Sequence, residues 1–147
     1  MKTHTLEQKL ENLIKNRKTT FIASLDAEGF PALKAMLAPR KREGLRTFWF
    51  STNTSSERVA HYQANPKAAI YFCDRLFFRA VMLHGYMEVL EDAESKQMIW
   101  KRNDTQYYKK GVSDPDYCVL KFTATKGRYY EHFHAQTFSI DQNSVRE

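Results

Sequence analysis

The sequence predicts an α+β fold built around an antiparallel β-barrel, with helices packed against its outside. Two observations carry this: segments rich in β-branched and aromatic residues outnumber helix-patterned ones by about two to one, and most connect to their neighbours through short turn signals. With 147 residues, 42% of them hydrophobic, and no internal repeat, low-complexity tract or linker, the chain reads as a single domain over 1–147.

Thr5 and Gln8 stand in capping-box spacing, and Leu6, Leu10, Leu13 and Ile14 then fall on one helical face, so an amphipathic helix is expected over 5–17. Residues 19–37 read as two strands around a turn at Asp26, Glu28, Gly29 and Pro31. After a basic stretch, 45–53 is a third strand ending in hydroxyl and amide side chains. Thr54 with Glu57 repeats the capping-box pattern and starts a helix through Arg58, Val59 and Tyr62 to Asn65, where Pro66 ends it. Strands follow at 67–73 and 78–90, the second bent at Gly85. Asp92 caps a third helix over 93–103. Strands near 117–124, 127–133 and 136–140 close the chain, with Lys126-Gly127 as a turn.

The formal net charge of +6 suits a polyanion, an anionic surface and a phosphorylated small molecule alike. The densest basic run, Arg40, Lys41, Arg42 and Arg46, reads as a solvated hairpin loop. No recognition helix or ribonucleoprotein motif accompanies it, so no nucleic-acid partner is expected. No stretch approaches the roughly 20 apolar residues of a membrane span, and the N-terminus lacks the apolar centre of a secretory signal, which points to a cytoplasmic protein without a membrane partner. Cys73 and Cys118 sit in apolar stretches without metal or redox spacing and read as buried, inert thiols.

The strongest chemical signal is the junction from Phe50 to Arg58, where a strand runs into a helix N-terminus crowded with hydroxyls. Free backbone N–H groups and the helix dipole attract anions there, Thr52, Ser55 and Ser56 add donors, and Arg58 brings a guanidinium fork. Plain helix capping accounts for the same residues. Lys34 alternates with Leu33 and Ala35, which places it on the opposite strand face, away from the core; pairing of its strand with the one ending at Asn53 would bring it to the helix terminus. His132 and His134 would share a strand face but lack a third ligand, so no metal site is assigned. His61 and His84 read as isolated, no acid and base pair stands out, and no catalytic side chain is assigned.

These segments carry a resemblance. In order along the chain, FIASLDAEGFPALKAM, TFWFSTNTSSERVAHYQANPKAAIYF and RAVMLHGYMEVLED resemble the pyridoxamine 5'-phosphate oxidase-like superfamily of FMN-binding split barrels, particularly its short members related to general stress proteins. The middle block is the most specific, with Thr52, Asn53, Ser56, Arg58 and Asn65-Pro66. The resemblance implies a mainly antiparallel split β-barrel with peripheral helices and FMN as cofactor. It implies that Lys34 and Arg58 hold the FMN phosphate, with Ser56, Thr52 and Asn53 nearby. Backbone at Ala35, Met36, Phe50 and Ser51 would follow the ribityl chain and the ring. It further implies a homodimer with the cofactor at the subunit interface.

Three departures bear on activity. Glu57 stands where the full-length oxidases often have a basic residue, Ala80 where they place a flavin-contacting glutamine, and the chain ends at SIDQNSVRE without their C-terminal segment. The expectation is therefore a flavin-dependent oxidoreductase acting on a small molecule, with a nicotinamide electron donor, rather than a pyridoxamine-phosphate oxidase. A non-catalytic flavin-binding or stress-related module and a relative binding haem or F420 are the alternatives.

Overall fold

The computed structural model describes residues 4–142 and 144–147. Helix α1 (Leu6–Lys15) opens with the expected capping box: Thr5 Oγ1 accepts from the Gln8 N–H and Gln8 Oε1 accepts from the Thr5 N–H. Its apolar face, Leu6, Leu10, Leu13 and Ile14, is buried in the main core. Strands β1 (Thr19–Leu25) and β2 (Pro31–Leu37) form the expected hairpin, and Asp26 closes its turn by accepting from the Glu28 and Phe30 N–H groups.

The basic run forms a hairpin as expected, with Arg46 in its turn, but it is not all solvated loop. Lys41–Glu43 is a strand, β3, paired with β4 (Thr47–Asn53). Arg42 bridges Glu11 of α1 at 2.7 Å, and Arg40 is buried against Asp104. Carboxylates distant in sequence thus pair two of the four cations of the run, Arg40 and Arg42.

Helix α2 (Glu57–Ala64) leads to β5 (Lys67–Asp74) and β6 (Arg79–Leu90), whose register shifts between His84 and Gly85. A Cβ on Gly85 would lie 1.9 Å from the Thr123 carbonyl, so only glycine permits this approach of backbones. Helix α3 (Ala93–Ile99) is capped by Asp92 as expected, but it stops four residues early. Trp100 turns extended and packs on Tyr108 and Tyr117, and two 3-10 turns, Arg102–Gln106 and Gly111–Ser113, follow.

Strand β7 (Tyr117–Glu131) runs unbroken through the expected turn at Lys126-Gly127. Gly127 serves packing: a Cβ there would meet the Phe138 ring at 2.5 Å and Leu83 at 2.8 Å. The reversal comes later, at His132 and Phe133, both in the left-handed region. His132 therefore lies in a turn and His134 on β8 (His134–Asp141), so the two do not share a strand face. A short β9 (Ser144–Arg146) completes the sheet.

The sheet order is β2-β1-β5-β6-β7-β4-β3, with β8 and β9 continuing from β7. The barrel is split: β2 pairs β1 and does not pair β4. The main core fills the inside of the curl with Ile22, Phe48, Phe50, Ile70, Phe72, Leu83 and Phe122. A smaller cluster, Trp49, Ile99, Tyr108, Tyr117 and Val119, lies under α3. Cys118 is buried, Cys73 is half-buried, and both are free thiols. Among the described residues no helix is long and apolar enough to cross a membrane.

Candidate functional site

The ends of the sheet curl toward each other, and the gap between β2 and β4 is a cleft of about 350 Å³. Lys34, Ala35 and Met36 border it from β2, and Phe50, Ser51, Thr52 and Asn53 from β4; Arg58 closes it from the first turn of α2. Eight of the nine residues expected at the site thus line one cavity. Ser56 is not among the lining residues; it is the N-cap of α2.

The turn into α2 differs from the expected capping box. The helix starts at Glu57 and not after Thr54, because the preceding turn is committed elsewhere. Asp116, just before β7, accepts from the Asn53 side-chain amide at 2.8 Å and the Ser55 N–H at 2.9 Å, and its carbonyl accepts from the Thr54 N–H at 2.9 Å. The Ser56 hydroxyl is buried and makes no hydrogen bond among the described residues, while its carbonyl accepts from the Val59 N–H in the first turn of α2 at 3.2 Å.

Arg58 is half-buried. Its Nε and Nη2 both donate to Thr52 Oγ1, at 3.0 and 2.7 Å. Burial pulls the guanidinium below its ordinary pKa, opposed by the nearby Tyr62 and Tyr108. No carboxylate forms an ion pair with it among the described residues. Lys34 is exposed, likewise without an ion pair there, and it faces the opposite way from the sequence expectation. It lies across from Ile22 on the core side of β2, while Leu33 and Leu37 are exposed on the outer face. Met36 on that inner face packs against the main core, while Lys34, two residues earlier, borders the cleft.

A side pocket of about 110 Å³ opens off the cleft and shares Lys34 and Arg58 with it. His61 lines it and is not isolated, since its Nδ1 lies 2.8 Å from Ser24 Oγ. Glu57 borders the same pocket with its side chain exposed. The far wall of the cleft comes from Arg40, Tyr107 and Tyr108. Burial pushes the Tyr108 phenol up to about 12, so it stays protonated at neutral pH. Sequence reading did not place Arg40, His61, Tyr107, Tyr108 or Asp116 at the site; the pairings of Arg40, His61 and Asp116 span dozens of residues and leave no local pattern. Ala80 is not among the cleft-lining residues, and among the described residues no cluster of metal-ligating side chains occurs.

Residues 6–131 match the family model described as Pyridoxamine 5'-phosphate oxidase. The chain belongs to that family. A Clostridium acetobutylicum structure, described as a protein related to general stress protein 26 of Bacillus subtilis in the pyridoxinephosphate oxidase family, is 39% identical. It superposes with a TM-score of 0.84 over 92% of this chain and 95% of that one. A pyridoxine/pyridoxamine 5'-phosphate oxidase of Caulobacter vibrioides is 34% identical over 74 residues, which are 50% of this chain and 32% of the oxidase. The chain thus matches only about a third of the length of that curated relative. A haem-binding protein of Mycobacterium smegmatis shares the fold at 15% identity and a TM-score of 0.72, over 95% of this chain and 60% of that one.

Proposed function

We propose that the cleft binds FMN and that the protein is a cytoplasmic, flavin-dependent oxidoreductase acting on a small molecule. The observation that carries this reading is Arg58: a half-buried guanidinium held in place by a neutral hydroxyl, with Lys34 across the side pocket. A desolvated cation without a carboxylate suits an anionic group supplied by a ligand. The buried Ser56 hydroxyl and the first turn of α2 fit the same phosphate. The cleft volume falls in the roughly 300–1,000 Å³ range of small-molecule sites.

In this reading Lys34 and Arg58 hold the phosphate, with Thr52 orienting Arg58 and Ser56 adding a donor. Ala35, Met36, Phe50 and Ser51 flank the ribityl chain and ring, and Asn53 borders the phosphate end. Bound flavin supplies the electron transfer, and the chain binds and orients it. The donor set fits FMN better than haem, since no histidine lines the cleft and His132 and His134 stand outside it.

The outer face supports a homodimer with the cofactor near the interface. Phe21 of β1 stands beside Tyr71 of β5, and Leu33 and Leu37 of β2 lie on the same side, all exposed. A contiguous apolar face of this kind favours association with a second copy, and Leu37 also borders the cleft. A hollow of about 470 Å³ on the same face, with Ala23 and Ala69 at its floor, would receive side chains of that copy.

The test is the visible spectrum of the purified protein after FMN is added and the sample desalted, with sedimentation run on the same preparation. Two broad flavin bands travelling with a dimeric species are expected. Colourless protein overturns the FMN reading, and a Soret band replaces it with haem. Oxidation of NADH or NADPH by the loaded protein then separates an enzyme from a flavin-holding module.

A further inference from the structure

We propose that Asp116 is a positioning residue for the phosphate of the bound cofactor, holding the β4–α2 turn in the shape that presents α2 and Arg58 to it. The inference rests on the FMN reading of the cleft.

Residues 53–56 contain no proline or glycine and, by their composition, can extend the strand or cap the helix at more than one position. Asp116 selects one arrangement. Its two carboxylate oxygens are taken by separate donors, the Asn53 amide and the Ser55 N–H, and its carbonyl takes the Thr54 N–H. Three consecutive residues are thereby tied to one anchor. With Thr54 and Ser55 committed, the chain enters α2 at Ser56, leaving the hydroxyl of Ser56 without a hydrogen bond among the described residues and Arg58 one residue inside the helix.

The anchor is itself held. The Asp116 N–H donates to Asp114 Oδ1 at 2.9 Å, Asp114 Oδ2 accepts from the Lys110 N–H at 3.1 Å, and the Asp114 carbonyl accepts from Lys96 Nζ of α3 at 3.0 Å. The turn is thus braced against a helix on the far side of β7.

A carboxylate close to an anion site would ordinarily weaken it. Here both oxygens are engaged by donors of the turn, and those hydrogen bonds hold the Asp116 carboxyl below the usual carboxylate range. Asp116 is therefore a pure acceptor at neutral pH, matched to the two N–H groups it organises.

The test compares FMN with riboflavin, which has the same ring and ribityl chain but no phosphate. Asp116→Ala should weaken FMN binding roughly 10- to 100-fold, the scale of one or two charge-assisted hydrogen bonds, and change riboflavin binding less than about 3-fold. Asp116→Asn should recover most of the FMN affinity, because a flipped Asn53 amide can accept from the new amide while the Ser55 N–H keeps its acceptor. Should the alanine variant fail to fold, Asp116→Ser, with a hydroxyl for the Ser55 N–H alone, is expected between the other two. Equal losses for FMN and riboflavin would reduce Asp116 to a fold-stabilising residue. Tighter FMN binding in both Ala and Asn variants would make its charge an obstacle. Either result overturns the inference while wild-type FMN binding stands. Failure of the wild type to bind FMN overturns both this inference and the reading beneath it.

Discussion

Arg40 and Arg58 border the same cleft and are both withdrawn from water, yet their partners are opposite in kind. Arg40 donates through Nη1 and Nη2 to the two oxygens of Asp104, at 2.9 and 2.6 Å, with side-chain exposures of 11% and 3%. Among the described residues Arg58 reaches only the Thr52 hydroxyl. The first guanidinium is satisfied within the fold and pins the segment carrying Tyr107 and Tyr108 to the start of β3. The second keeps a net charge that a ligand can complete. Residue type and location are therefore not enough to mark a binding arginine; what decides it is whether the fold supplies the counter-charge.

The largest expected effect breaks the satisfied pair. Asp104→Ala leaves Arg40 buried without a counter-charge and should cost about 3–5 kcal/mol in urea unfolding, the usual penalty for orphaning one member of a buried pair. The Lys101 N–H is held by the same carboxylate and loses its acceptor too, whereas the Tyr107 and Tyr108 N–H groups keep theirs, the main-chain carbonyl of residue 104. Burial raises the Asp104 carboxyl, but the hydrogen bonds from Arg40 and Lys101 outweigh it and the folded pKa lies below the ordinary carboxylate value. A depressed folded pKa contributes stability above the unfolded pKa and loses it as pH falls through the folded one. Stability should therefore drop below about pH 4, and Asp104→Asn should flatten part of that limb. An unchanged acid limb in the asparagine variant would show that the other depressed carboxylates, Asp74, Asp92, Asp114, Asp116 and Glu131, carry it alone.

Arg58→Ala should invert the pattern. Stability should move by only about 1–2 kcal/mol, since the two charge-assisted hydrogen bonds to the Thr52 hydroxyl are lost together with the desolvation of a charge. FMN affinity should fall by about 1–3 kcal/mol. Calorimetric titration alongside a melting curve separates the two quantities. A large stability loss with intact FMN binding would make Arg58 a second Arg40 and remove the phosphate site.

This contrast also explains what could be read from sequence. Features with local causes were legible: the Thr5–Gln8 capping box, the Asp26 turn, the bend at Gly85 and the cluster from Phe50 to Arg58. Features decided at a distance were not. Thr54 and Glu57 have capping spacing, but Asp116 takes the Thr54 and Ser55 N–H groups first and moves the helix start. Lys126-Gly127 has turn composition, but Gly127 is fixed by the ring of Phe138 on the neighbouring strand. Alternation showed that Lys34 opposes Leu33, yet not which face was inner, because on this end strand the apolar Leu33 and Leu37 lie on the exposed outer face and Lys34 shares the inner one with Met36. Arg40, just before β3, looked solvated because its partner lies 64 positions away.

Lys34 offers the smallest and most discriminating change. It is exposed on β2, whereas Arg58 is half-buried behind Thr52, so the two cations sit in different dielectric surroundings around one pocket. Lys34→Ala should weaken FMN binding by about 1 kcal/mol at low ionic strength, in keeping with a partly exposed pair. Raising salt from about 0.01 to 1 M shortens the screening length from roughly 30 to 3 Å, which should nearly erase the difference between wild type and the Lys34 variant. The Arg58 deficit should persist, because its guanidinium is shielded by protein and not by mobile ions. Equal salt sensitivity of the two deficits would mean that both cations act through the long-range field of a chain with net charge +6, and that Arg58 does not meet the phosphate directly.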